Sequence, residues 1–159
     1  MRWFRRDRRS TSFHHQMAQV KLFRNLVERE LEIIAGFLHY RKFLAGEVIF
    51  DAGEPGQTLY IVISGNVAIS LPGLHDAPLV EMQANNFFGE LGLLDDWQRS
   101  AQARATAQTE VAVLFRGDFE RLMALHAPIA AKITLQLAHH LGQLLRQVMS
   151  QNSEQGSVQ

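Results

Sequence analysis

At Gly36 the repeat of the apolar residues changes, and this constrains the fold more than any other feature of the sequence. Before it, Leu31, Ile34 and Leu38 recur at helical spacing among Glu28, Arg29, Glu30 and Glu32, which predicts an amphipathic helix over residues 26–38. After it, short β-type runs at 41–44, 48–50, 59–64, 67–71, 79–82, 100–107 and 110–115 are separated by turn residues such as Ala45-Gly46, Gly53 to Gly56 and Gly65-Asn66. Strands at this rhythm close into a sandwich or barrel. Helical signals return only at the end. Asp118 is placed to cap a helix reaching Leu125, and Pro128 to open a final helix reaching Met149. The expected architecture is mainly β, with a helix in front, roughly eight strands, and two closing helices.

With 159 residues and 47% apolar content, one domain can bury a core. The absence of cysteine excludes disulfides, thiolate metal sites and cysteine nucleophiles. No stretch has the length and apolarity of a membrane span, and the opening Met1-Arg2-Trp3-Phe4-Arg5-Arg6 lacks the apolar core of a secretory signal, so a cytoplasmic location is expected. The net charge of zero conceals an asymmetry. Arg2, Arg5, Arg6, Arg8 and Arg9 meet only Asp7 in the first nine residues, and the remainder is mildly acidic. That body lacks the broad positive face of a nucleic-acid-binding domain, so no direct DNA binding is expected. The expected organisation is a flexible basic arm over 1–19, one domain over 20–149 and a polar, disordered tail over 150–159.

Residues 87–105, FFGELGLLDDWQRSAQARA, fit neither period and carry the chemistry. Gly89 permits a positive φ or a close backbone approach, and Glu90 to Leu94 suffice for one or two helical turns. The first amides of such a turn point outward and form an anion site. Arg99 adds a guanidinium able to pair bidentately with a phosphate, while Glu90 would repel that phosphate unless it faced a neutral donor such as a sugar hydroxyl. The segment thus offers donors for one phosphate and an acceptor for a ribose. The competing reading is an ion pair between Glu90 and Arg99 that closes a loop, with Gly89 and Gly92 serving turns. Spacing alone leaves both open.

The segment Phe88-Gly89-Glu90-Leu91-Gly92-Leu93-Leu94 with Arg99-Ser100-Ala101 resembles the phosphate-binding cassette of the cyclic-nucleotide-binding domain family. Gly46-Glu47-Val48-Ile49-Phe50, Gly53-Glu54-Pro55-Gly56 and Leu59 to Gly65 support the resemblance in the right order. It extends over residues 22–149 and is of the type found in the catabolite activator protein and in cyclic-AMP-dependent kinase regulatory subunits. The resemblance implies a β-roll, a double-stranded jelly-roll-like fold, with an N-terminal helix, a short cassette helix and two C-terminal helices. It implies that Glu90 accepts from the ribose 2′-hydroxyl, and that the amides of Gly89, Leu91 and Ala101 donate to ribose or phosphate. Arg99 would neutralise the phosphate, and Ser100 would add a hydroxyl near phosphate and base. The implied ligand is cyclic AMP rather than cyclic GMP, because Ser100 stands where the cyclic-GMP kinases typically carry threonine.

Ala130, Thr134, Leu137, Leu141, Leu144 and Val148 repeat at alternating four- and three-residue steps, the seam of a two-stranded coiled coil, with Ile133 and Leu145 widening the stripe. This face either packs on the β-roll or pairs two subunits, and the resemblance favours a homodimer. The same helix is expected to form a lid over the base, with Leu141, Leu145 and Arg146 nearest. Leu145-Arg146 depart from the polar pair that reads adenine in the activator protein. The residues after Met149 are too few for a helix-turn-helix, so the expected receiver of a signal is a separate effector or a segment outside this sequence.

An enzyme is not expected. No HExxH, GxSxG or Walker pattern occurs, and the adjacent pairs His14-His15 and His139-His140 point about 100° apart on a helix and cannot readily share a metal. No metal site and no further cofactor is therefore expected. The alternative to a sensor is a degenerate binding fold that survives as an interaction module.

Overall fold

The computed structural model describes residues 9–74 and 76–155. In chain order it contains α1 (Arg9–Gln19), a 3-10 turn (Lys21–Phe23), α2 (Glu28–Ala35), β1 (His39–Phe43), β2 (Val48–Phe50), β3 (Thr58–Ser64), β4 (Val67–Ser70), β5 (Val80–Met82) and β6 (Phe87–Phe88). A second 3-10 turn (Glu90–Leu93) follows, then β7 (Gln102–Ala105), β8 (Thr109–Phe115), α3 (Arg116–Leu125) and α4 (Ala127–Gln155). The strands form two antiparallel four-stranded sheets, ordered β1-β8-β3-β6 and β2-β7-β4-β5. This is the β-roll with flanking helices that the sequence leads one to expect.

Two apolar clusters hold it together. Phe50, Val62, Val67, Phe88 and Ala103 fill the interior of the roll. The larger cluster joins the helices to the outer face of the first sheet, with Leu59, Ile61 and Leu114 packed among Met17, Phe23, Ile34, Leu122, Ile133 and Leu137. Burying one such side chain contributes about 1.5–3 kcal/mol, so the helices are part of the core rather than appendages. Because β3 lies next to β6 and β8, the cassette that follows β6 sits beside the helical layer.

Several boundaries differ from the sequence reading. Residues 9–19 are helical rather than a flexible arm, because Phe13, Met17 and Val20 recur at helical spacing; Met17 and Val20 are fully buried, and Gln16 Nε2 donates to the Ile63 carbonyl. The basic residues 1–8 lie outside the described residues. At the other end α4 continues to Gln155, so residues 150–155 are helical rather than disordered. There the hydroxyls of Ser150 and Ser153 donate back to the carbonyls of Arg146 and Met149 at 2.9 and 3.0 Å. Residues 156–159 of the expected tail lie outside the described residues.

The first amphipathic helix is shorter than 26–38, because the Glu30 carboxylate accepts from the Val27 amide at 2.9 Å and fixes its start. Asp118 does not cap α3 but lies in its first turn, where its carboxylate meets His39 and Arg121, each at 2.8 Å.

Candidate functional site

β6 ends at Phe88, and Gly89 turns the chain out of the sheet with φ +75°. A side chain is excluded at Gly89 for two reasons. The left-handed backbone disfavours one, and a Cβ would lie 2.7 Å from Arg99 Nη1 and 3.1 Å from the Thr58 carbonyl. At Gly92 a Cβ would meet the Thr58 amide nitrogen and carbonyl oxygen at 3.0 Å. The two glycines therefore let the 3-10 turn lie directly on the start of β3, with the Arg99 side chain between them. Leu93, nearly fully buried, anchors the end of the turn.

Arg99 is only 9% exposed. Its Nη1 donates to the Gly89 carbonyl at 3.1 Å, and its Nη2 to the carbonyl and hydroxyl of Thr58 at 2.8 and 2.7 Å. The guanidinium lies over the Phe50 ring at 4.3 Å and near Tyr60 at 5.8 Å. Its Nε is buried and meets no acceptor among the described residues. Burial lowers the pKa of this guanidinium, opposed by the charges of Tyr60, Glu90 and Glu54. A buried cation with an unmatched donor fits an anion supplied from outside the chain.

Glu90 is not sealed against Arg99, so the ion pair considered as the alternative for this loop does not form. Its carboxylate turns toward α4, where His140 Nε2 lies 3.3 Å from Oε1. The amides of Gly89, Glu90, Leu91, Ser100 and Ala101 meet no protein acceptor among the described residues. The expected ligand-binding set, Gly89, Glu90, Leu91, Arg99, Ser100 and Ala101, thus occupies one cassette in which open amides, a buried cation and a carboxylate occur together.

The residues expected to form the lid are placed less simply. Leu141 is half-buried, Leu145 is 61% exposed, and Arg146 borders a polar groove with Lys21, Gln143 and Gln147. It is His140 through which α4 meets the cassette, its ring 4.7 Å from that of buried Phe87. The expected coiled-coil seam is also divided, since Ala130 and Leu137 are buried in the core whereas Leu144 and Val148 are exposed.

Sequence reasoning missed His140, Thr58 and Arg116. His140 had a signal: it lies seven residues after Ile133 and three after Leu137, both fully or almost fully buried, and so shares their face of the helix. Arg116 had none. Its guanidinium reaches the carbonyls of Gly92, Gly56 and Asp95 and the carboxylate of Asp96, which holds the far end of the turn. Among the described residues no three His, Cys, Asp or Glu side chains gather as metal ligands, and no helix is long and apolar enough to cross a membrane.

Comparison with known proteins adds independent findings. The family model described as "Cyclic nucleotide-binding domain" matches residues 40–126, more than half of the chain. The cAMP-dependent protein kinase regulatory subunit of Emericella nidulans is 37% identical over 120 residues, covering 76% of this chain and 28% of that protein. The Cyclic AMP receptor protein of Thermus thermophilus is 34% identical over 122 residues, covering 76% of this chain and 56% of that one. The crystal structure of the Thermus thermophilus Catabolite Activator Protein superimposes with a TM-score of 0.76 at 32% identity, covering 86% of this chain and 63% of that one. The chain therefore spans between about a quarter and under two thirds of the length of these relatives.

Proposed function

The chain belongs to the cyclic nucleotide-binding domain family, and from that premise we propose that it is a cyclic-AMP sensor that signals through movement of α4. The observation that carries the proposal is Arg99: a buried guanidinium, boxed by glycines, with an Nε proton that no group among the described residues accepts. A singly charged cyclic phosphate would be neutralised by Arg99 and receive the amides of Gly89, Leu91 and Ala101. Glu90 would accept from the ribose 2′-hydroxyl, and Ser100 would donate beside the phosphate. Leu141, Leu145 and Arg146 would approach the base only if the second half of α4 swings toward the roll. The nucleotide would then stabilise the closed arrangement by its differential affinity for the two positions of the helix.

Cyclic AMP is preferred to cyclic GMP because Ser100 stands where the cyclic-GMP kinases typically carry threonine and because both sequence relatives described above are named for cyclic AMP. The proposed role is regulatory rather than catalytic, and the proposed location is cytoplasmic. Its receiver is an effector protein or a segment outside this sequence. Dimerisation along α4 is supported by Leu144, Leu145, Val148 and Met149, which are 40–61% exposed. An adjoining apolar groove of about 550 Å³ is lined by Met123, Ala131, Leu135 and Ala138. Sedimentation at saturating cyclic AMP tests this, and a purely monomeric species would reject it.

A second reading, a degenerate fold acting as an interaction module, draws on the fact that Arg99 and Glu90 already have partners within the chain. A thermal-shift titration separates the two. At 100 times its dissociation constant a ligand adds about 2.7 kcal/mol of stability. A clear rise in Tm is expected with cyclic AMP and a smaller one with cyclic GMP at equal concentration, whereas no rise with either supports the degenerate module.

A further inference from the structure

Among the described residues the Glu90 carboxylate is met by His140, which sits on the element proposed to move. The contact is an ion-pair approach of the His140 ring nitrogen to Oε1 of the carboxylate. At 3.3 Å it is a contact without hydrogen-bond geometry, weaker than a well-formed charge-assisted bond, and the histidine side chain is 27% exposed against 14% for Glu90. The same ring rests against Phe87, which is buried at the end of the roll. His139, its neighbour, is exposed and takes no part.

We propose that His140 is a positioning residue that occupies Glu90 on behalf of α4, and that the 2′-hydroxyl of a bound nucleotide must take its place. This rests on the reading of Glu90 as the ribose acceptor. A ribose hydroxyl is drawn to the same carboxylate, so binding replaces the His140 contact at Oε1 instead of adding to it. Two consequences follow. The gain from the 2′-hydroxyl is reduced by the contact that is given up, and giving up that contact frees α4 to move into the closed arrangement in which its second half approaches the base. His140 thereby sets both the affinity for ribonucleotides and the link between ligand and helix.

The test uses the full chain, with cyclic AMP and its 2′-deoxy analogue as probes in calorimetric titration. His140→Phe keeps a ring against Phe87 and removes the donor, while His140→Gln keeps a donor. Loss of a part-exposed ion-pair contact corresponds to about a twofold to fivefold change in affinity. His140→Phe is expected to bind cyclic AMP tighter by that factor and the 2′-deoxy analogue unchanged, with His140→Gln close to the parent protein. Unchanged or weaker binding of cyclic AMP by His140→Phe would overturn the proposal, as would equal tightening for both nucleotides.

If the parent protein binds neither nucleotide, the sensor reading fails first, and the contact between His140 and Glu90 is read by amide hydrogen exchange without nucleotide. Faster exchange of residues 137–144 in His140→Phe, restored in His140→Gln, would then support the tether itself. Unchanged exchange would overturn it.

Discussion

Arg99 holds the start of the cassette turn and Arg116 its end, yet the two guanidinium groups are satisfied to different degrees. Arg116 donates from all three nitrogens, to the carbonyls of Gly92, Gly56 and Asp95 and to Asp96, and its side chain is 17% exposed. Arg99 is the more buried residue and still has an Nε proton without an acceptor among the described residues. Full satisfaction is what a scaffold cation requires, since an unmatched buried donor costs about 1–3 kcal/mol. Retaining such a cost at Arg99, among three glycines whose missing side chains make room for it, is understandable if an outside anion completes the set.

The largest effect expected from breaking this contrast is at Arg99. Arg99→Ala should weaken cyclic-AMP binding by about two orders of magnitude or more, because truncating one partner of a buried charge pair costs roughly 2–5 kcal/mol. Calorimetry measures it, and an unchanged affinity would remove Arg99 from the site. Arg116→Ala should act on the fold instead. Three carbonyls lose their donor together, and we expect a loss of about 2–3 kcal/mol, read as a lower denaturation midpoint at constant slope. If Arg116→Ala left stability unchanged but abolished binding, the roles assigned to the two arginines would be reversed.

A smaller effect sharpens the comparison from the acidic side. Glu90→Gln keeps an amide oxygen able to accept from a hydroxyl, so its loss of cyclic-AMP affinity should be about tenfold or less. A loss as large as that of Arg99→Ala would mean that the negative charge itself matters, through its interaction with Arg99.

The difference between the arginines also shows what a sequence can reveal. Arg99 was legible because it stands in a contiguous pattern with Gly89 and Glu90, and the strands were legible because turn residues such as Gly46 and Gly65 interrupt apolar runs. Arg116 was not, since its acceptors Gly92 and Gly56 lie 24 and 60 residues away and are backbone carbonyls, which no side-chain pattern marks. β6 is only Phe87–Phe88, too short for alternation to register. In α1 the arginine cluster obscured the spacing of Phe13, Met17 and Val20, although the burial of Met17 and Val20 decides the structure there. His140 stood one position away from the expected seam, and only packing shows which face of α4 turns inward.

A third cation sets the lower end of the scale. Lys132 on α4 donates to both carboxylate oxygens of Glu30 on α2 at 2.9 Å, with side-chain exposures of 38% and 18%. The Lys132 hydrogen bond, and after it the Val27 amide, hold the Glu30 carboxyl below its ordinary range. A carboxyl depressed in the folded state contributes stability that is present above its unfolded value, near pH 4.3, and is lost as pH falls through the lower folded value. Lys132→Met should therefore cost only about 0.5–1 kcal/mol at neutral pH, and the difference from the parent protein should shrink as the solution is acidified below about pH 4. Urea denaturation at a series of pH values measures both. A difference that persisted unchanged into acid would assign the effect to packing of the lysine stem rather than to its charge, leaving the satisfied and unsatisfied arginines as the cations whose charge matters most to this fold.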